Sequence, residues 1–391
     1  MNQFVVEPAG HGNHYDHLLI AVIILLTGVG LVALYSASYA FGERFFEDSL
    51  YFFSRQIVFG VLGVLLFFLA LRIPLRILRK CIVPLVLGTL LMCLFTFVPG
   101  IGVIKNGAAR WIHIGSNTYQ PSELVKLVLP LYLAHIFTKK ADKIQVFSSG
   151  ILPPAMVTML FFLLIYLQNN FSTALFVAIN ALLIFFFAGV QLRYFIGAGI
   201  ILGPLSALLI FTKEHRLRRL ISFIWPDWEP LGAGYQVHSS ILTIESGGFW
   251  GKGIGQGVRK ISSVPEIHSD FIFSSYAEET GFIGILFFFL LLGIFMIRGY
   301  RVSLRTEDSF GRLLSFGLVT TISSQMLLNV AVVSGILPAT GIPLPFFSAG
   351  GSSLATTLLI AGLIVNVSGL PQEFESVRNT GHFRGMEVNL G

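Results

Sequence analysis

Long apolar runs broken by short polar stretches dominate the chain, at about 18–38, 56–73, 81–98, 122–137, 151–167, 171–189, 193–212, 271–297, 311–335 and 351–370. Hydrocarbon about 30 Å thick takes about 20 apolar residues in a helix rising 1.5 Å each. The runs lack the strict alternation of barrel strands, and a helix satisfies its own backbone groups in lipid. They predict an all-α polytopic membrane protein of about ten transmembrane helices, with a long extracytoplasmic loop, 213–270, between helices 7 and 8.

Composition agrees. Hydrophobic residues make up 54% and charged residues 12% of 391, where a soluble chain carries roughly 25% charged. Residues 1–17 hold no Lys or Arg, so the first run reads as an anchor and not as a secretory signal. One set of loops is rich in basic residues, among them Arg72, Arg76, Arg79, Lys80, Lys139, Lys140, Lys143, Arg193, Arg298, Arg301, Arg305 and Arg312. The opposite short loops hold Arg44, Arg55, Lys105 and Arg110. By the positive-inside bias the first set is cytoplasmic, with both termini, 1–17 and 371–391, on that side of a single membrane domain. The net charge of +6 is then topology, and no nucleic-acid partner is expected. Cys81 and Cys93 stand about 18 Å apart along one helix, too far to bridge.

The unusual chemistry gathers in three outward segments, 99–123, 213–270 and 336–352. The last, "ILPATGIPLPFFSAGGS", is uncharged and rich in Pro and Gly, so it is expected to dip back among the helices, where irregular backbone needs protein around it. Glycines 251, 253, 255 and 257 match no nucleotide-binding spacing; they read as close packing or a turn. "KEHRLRRL" suits a helix at the lipid surface.

Ionisable residues inside spans are costly and point to function or to a structural pair. Glu123 and Lys126 share a helix face at i, i+3. Glu278 and Glu279 are expected to bond between helices. Asp270 opens the eighth span, where it is both reachable and partly desolvated; it is either a base whose pKa burial raises or a solvated helix cap. Arg259, Lys260 and His268 precede it closely, and cations suit phosphate. The residues themselves imply a protein that acts on, or moves, an anionic lipid.

At "GAARWI" and "QPSELVK" (107–126), "PLGAGYQ" (230–236), "PEIHSDFIF" with "AEETG" (265–281) and "NVAVVSGILPATGIPLPFFSAGGSS" (329–353), the chain resembles the SEDS family, which includes FtsW and RodA. The resemblance covers about residues 15–370. It implies a peptidoglycan glycosyltransferase of the bacterial cytoplasmic membrane that polymerises lipid II onto a nascent lipid-linked glycan strand. Asp270 takes the place of the family's catalytic acid. Arg110, Lys126, Arg259 and Lys260 become candidates to meet the leaving diphosphate, with Glu123 and Glu266 as positioning partners. It further implies a divalent cation, Mg2+ or Mn2+, a class B penicillin-binding protein and other divisome membrane proteins as partners, and the division branch. A lipid II flippase and a non-catalytic divisome scaffold are the alternatives. The chain departs from the family at "QNNFST" (168–173), where Q-P-D-[LF]-G-[ST] is usual, so Asn170 replaces an acid. Ser239 stands where Gln is usual.

Overall fold

The computed structural model describes residues 15–105, 107–115, 117–225, 234–257 and 269–370. Each of the ten apolar runs is a helix: α1 (His17–Phe46), α2 (Tyr51–Arg72), α4 (Ile82–Phe95), α5 (Pro121–Lys139), α6 (Leu152–Leu167), α7 (Phe171–Phe187), α8 (Leu192–Phe211), α11 (Ile272–Arg305), α12 (Ser309–Val333) and α13 (Gly351–Ser368). Between them lie the short α3 (Leu75–Lys80) and, in the long loop, α9 (Glu214–Ile224) and α10 (Tyr235–Gly247). Seven of the ten are long and apolar enough to cross a membrane; α4 and α7 are shorter. α5 carries Glu123 and Lys126, which neutralise one another inside the protein. The protein is a polytopic helical membrane protein.

The two classes of loop lie at opposite ends. At the basic end, Asp16 caps α1 through the Leu19 amide and pairs with Arg298 at 2.7 Å. Asp308 caps α12 and accepts both bonds of a fork from Arg79, at 2.6 and 2.8 Å. Asn366 donates to the carbonyls of Ala70, Leu71 and Ile73, closing the end of α2. α2 and α13 pack closely because Gly362 admits the α2 backbone; a Cβ there would stand 2.6 Å from the Phe67 carbonyl, the small-residue contact expected between helices in lipid. α12 and α13 are enclosed by the bundle, while α8 lies outside it with no buried stretch.

The other end is less regular. An unpredicted three-stranded antiparallel sheet, β1 (Gly102–Lys105), β2 (Ala108–Ile114) and β3 (Asn117–Tyr119), stands before α5, in the order β1-β2-β3. It is a small addition to a fold that is otherwise helical, as expected. The 336–350 segment does dip inward: Ile342, Leu344, Phe346, Phe347 and Ser348 are all buried. Its backbone is served by three side chains from two helices, since Gln56 of α2 donates to the Ser348 carbonyl, and Gln325 and Asn329 of α12 donate to those of Pro343 and Ile342. Such bonds are what let irregular backbone exist at this depth.

α11 is broken at Gly281, whose φ of 64° and ψ of −163° lie outside any helix. The broken backbone is stitched to the glycine-rich turn after α10. Lys252 and Gly253 amides donate to the carbonyls of Glu278 and Glu279, and the Phe282 amide to the carbonyl of Gly248. Gly251, at φ 77°, leaves no room for a side chain, because a Cβ would stand 2.2 Å from the Glu279 carbonyl oxygen. Close packing thus accounts for Gly251, and a turn for Gly253 and Gly255, at φ 96° and 83°.

Candidate active site

Asp270 stands one residue ahead of Phe271, the N-cap of α11; it is not the cap residue, and it is half-buried. Its backbone carbonyl is held at 2.7 Å by Asn329 of α12, whose amide also holds Ile342 at 2.9 Å. One side chain thus ties the acid to the re-entrant segment. Its carboxylate accepts from Ser269 at 3.1 Å and faces Gly341, where a Cβ would come within 3.3 Å of Oδ2. Gly341 has φ 71°, so a side chain here is excluded by backbone conformation as well as by the acid.

Arg110 and Arg219 share the field of this carboxylate, and Arg216 acts on Arg110. Arg110 reaches from β2 and donates through Nη2 to the carbonyl of Asn169, in the turn before α7. Arg216 of α9 is buried and lies over the rings of Tyr166 and Phe171 at 5.0 and 4.8 Å. Arg219, one turn further along α9, keeps solvent access and donates to the Ala339 carbonyl at 3.4 Å. Burial lowers the pKa of Arg110, with Arg219 and Arg216 adding to that and Asp270 opposing it. Crowding by protein likewise lowers that of Arg219, and Asp270 again opposes it. Arginine stays charged through shifts of this direction, so the surroundings of this one acid are cationic.

Of the residues expected at the site, Asp270 and Arg110 are brought into one electrostatic cluster. Glu123 and Lys126 form a buried ion pair at 2.7 Å, and Lys126 also donates to Gln325 at 2.9 Å. Gln325 in turn holds Pro343, so this pair connects to Asp270 through the re-entrant segment and Asn329, as a brace. Arg259, Lys260, Glu266 and His268 lie outside the described residues. Among those described, no three His, Cys, Asp or Glu side chains converge as metal ligands. Arg216 and Arg219 were missed by sequence reasoning, which placed their whole helix on the lipid. The signal was present: they lie at i, i+3 with Ser222 following at i+6, which gives α9 a polar face toward the protein. Glu278 and Glu279 bond between helices, to Lys252 and to Ser36.

A family described as cell cycle protein, comprising FtsW, RodA and SpoVE, matches residues 16–372. The chain belongs to the FtsW/RodA/SpoVE family. A probable peptidoglycan glycosyltransferase FtsW from Geobacter sp. (strain M18) is 38% identical over 354 residues, 90% of this chain and 96% of that protein. Stage V sporulation protein E of Bacillus subtilis (strain 168) is 33% identical over 353 residues, again 90% and 96%. Among solved structures of this family, a chain from a peptidoglycan synthase complex that coordinates polymerization and crosslinking superposes with a TM-score of 0.74 at 28% identity, covering 90% of this chain and 97% of that one. The rod shape determining protein RodA of Thermus thermophilus gives 0.67 at 27%, covering 90% and 96%.

Proposed function

We propose that this FtsW/RodA/SpoVE-family protein is a peptidoglycan glycosyltransferase that polymerises lipid II at the outer face of the bacterial cytoplasmic membrane, in cell division. The observation that carries the reading is the half-buried Asp270 at the head of α11, anchored through Asn329 and set in the field of Arg110 and Arg219, with Arg216 beside Arg110. Asp270 takes the proton from the GlcNAc 4-hydroxyl of the incoming lipid II. The freed oxygen attacks C1 of the MurNAc at the lipid-linked end of the strand and inverts it, and the C1–O bond to undecaprenyl diphosphate breaks. The diphosphate already carries two negative charges and gains one more as that bond breaks, and guanidinium groups fixed beforehand stabilise them without reorganising.

The basic loops put both termini in the cytoplasm and the Asp270 end outside. A class B penicillin-binding protein is the partner that crosslinks the new strands. Membrane orientation is read by placing a cysteine at Trp250, 77% exposed, in a Cys81→Ser background. Labelling of whole protoplasts by an impermeant thiol reagent is expected; labelling that needs lysis inverts the topology.

The activity is tested by supplying purified protein and its partner with lipid II. Glycan strands are expected from the wild type, and none from Asp270→Asn or Asp270→Ala at unchanged melting temperature. Full polymerisation by Asp270→Ala removes it as the base. Lipid scrambling in vesicles with no polymer under any partner condition favours a flippase.

A further inference from the structure

The turn between α6 and α7 departs from the family pattern, and the departure has structural content. Asn169 adopts φ 58°, a left-handed conformation that Asn visits and Pro, fixed near −65°, does not. This turns its carbonyl onto Arg110, while its side-chain amide is pinned to the Gly107 carbonyl at 2.9 Å. The β1–β2 hairpin and the α6–α7 turn are thereby locked together with Arg110 between them. Arg216 covers Phe171, the first residue of α7, and Arg219 bridges to Ala339, two residues from Gly341 and so from Asp270.

Donor capacity is left over. Arg110 Nε is buried with no hydrogen-bond partner, and so is Nδ2 of Asn170, a residue 4% exposed. Asn170 is the N-cap of α7, yet its side chain caps nothing, so the first amides of a seventeen-residue helix add their own positive end. Arg216, Arg219 and the one carboxylate Asp270 all stand within the electrostatic reach of Arg110, a surplus of two positive charges within this group of four. A carboxylate at position 170, beside the carbonyl that holds Arg110, would halve that surplus.

We propose that Arg110, Arg216 and Arg219 form a seat for the diphosphate of a polyprenyl lipid, and that the neutral Asn170 lets this seat take the diphosphate without a divalent cation. The proposal rests on the glycosyl-transfer reading for the lipid's identity and extends it by assigning the seat and its charge balance. Planar guanidinium forks match phosphate oxygens two at a time. A cation is needed where carboxylates share the site with the phosphate, and here the surplus charge already has the complementary sign.

The test is equilibrium binding of undecaprenyl diphosphate to the purified full-length protein in detergent, read without turnover. In EDTA the wild type is expected to bind it about tenfold or more tightly than undecaprenyl monophosphate, a difference charge-assisted bonds to the second phosphate account for. Inorganic pyrophosphate is expected to compete and phosphatidylglycerol not to. Arg219→Gln, a change on a solvent-accessible side chain, weakens binding about tenfold. Asn170→Asp weakens it similarly in EDTA and recovers on adding Mg2+. Wild-type binding that is lost in EDTA and restored by Mg2+ overturns the proposal, a measurement that needs no variant to fold. So does Asn170→Asp binding like the wild type, and equal competition by phosphatidylglycerol reduces the seat to a general headgroup surface. Asp270→Asn separates the two readings, since it is expected to keep lipid binding while making no strand.

Discussion

Asp270 and the pair Glu278–Glu279 are carboxylates some eight residues apart on one stretch of chain, and the protein treats them in opposite ways. Glu278 has no exposed surface. Its Oε1 receives Lys252 at 2.8 Å and Ser246 at 3.2 Å, and both partners come from the α10 end of the long loop. Glu279 takes Ser36 of α1 at 2.6 Å, and Ser36 also accepts the Gly255 amide. These two acids knit the broken helix to the glycine turn and to α1. Asp270 has its backbone fixed by Asn329 and its half-buried carboxylate beside Ser269, in the field of Arg110 and Arg219. An acid wholly enclosed with its donors holds a fold together, whereas one that keeps solvent access is able to exchange a proton.

The sharpest break of this contrast is at Asp270. Replacement by Asn keeps shape and hydrogen bonding but removes the base, and a positioned base is worth about 10²–10⁴ in rate. Strand synthesis is expected to fall by that factor while the melting temperature stays put. At the other acids the effects should exchange places. Gly251→Ala forces a Cβ to 2.2 Å from the Glu279 carbonyl at φ 77°. Left-handed strain of about 1–2 kcal/mol adds to an overpacking cost of about 1–3 kcal/mol, so thermal unfolding should come markedly earlier even though the residue touches no substrate. If Gly251→Ala lost activity at unchanged stability, the glycine turn would belong to the site and the contrast would fail.

The helical framework was legible because bilayer thickness imposes a length that a one-dimensional reading can count, and each of the ten runs became a helix. Asp270 was legible for a related reason: a charge at the edge of an apolar run is visible without a fold. The sheet was not read, although Asn106–Gly107 between apolar residues is a hairpin signal; glycine-rich polar sequence outside the spans masked its alternation. Arg216 and Arg219 were hidden by the strength of another pattern. Leu217, Leu220, Ile221 and Ile224 give α9 an apolar face, and that face explained the helix so well that its other buried side was not sought. Lys126 was legible in part. Its i, i+3 spacing already put it beside Glu123, whereas its bond to Gln325 joins α5 to α12, which only tertiary structure can disclose.

The remaining changes grade the structural half of the contrast. Lys252→Met keeps the aliphatic stem and removes the ammonium from Glu278. A buried acceptor that loses a partner costs about 1–3 kcal/mol, more when charged; because Lys252 is one-third exposed, water can take part of its place, and a loss near the lower half of that range is expected in chemical or thermal unfolding. Ser36→Ala is smaller again. It removes a hydroxyl between Glu279 and the Gly255 amide, and a bond to a charged group is worth about 1.5–3 kcal/mol net, softened here because the freed amide lies next to the acceptor it would seek. A stability loss of about 1 kcal/mol with polymerisation intact is the expected result. Were Ser36→Ala instead to shift the pH profile of strand synthesis, Glu279 would be coupled to the reaction, and the division between structural and reactive carboxylates on this stretch would have to be redrawn.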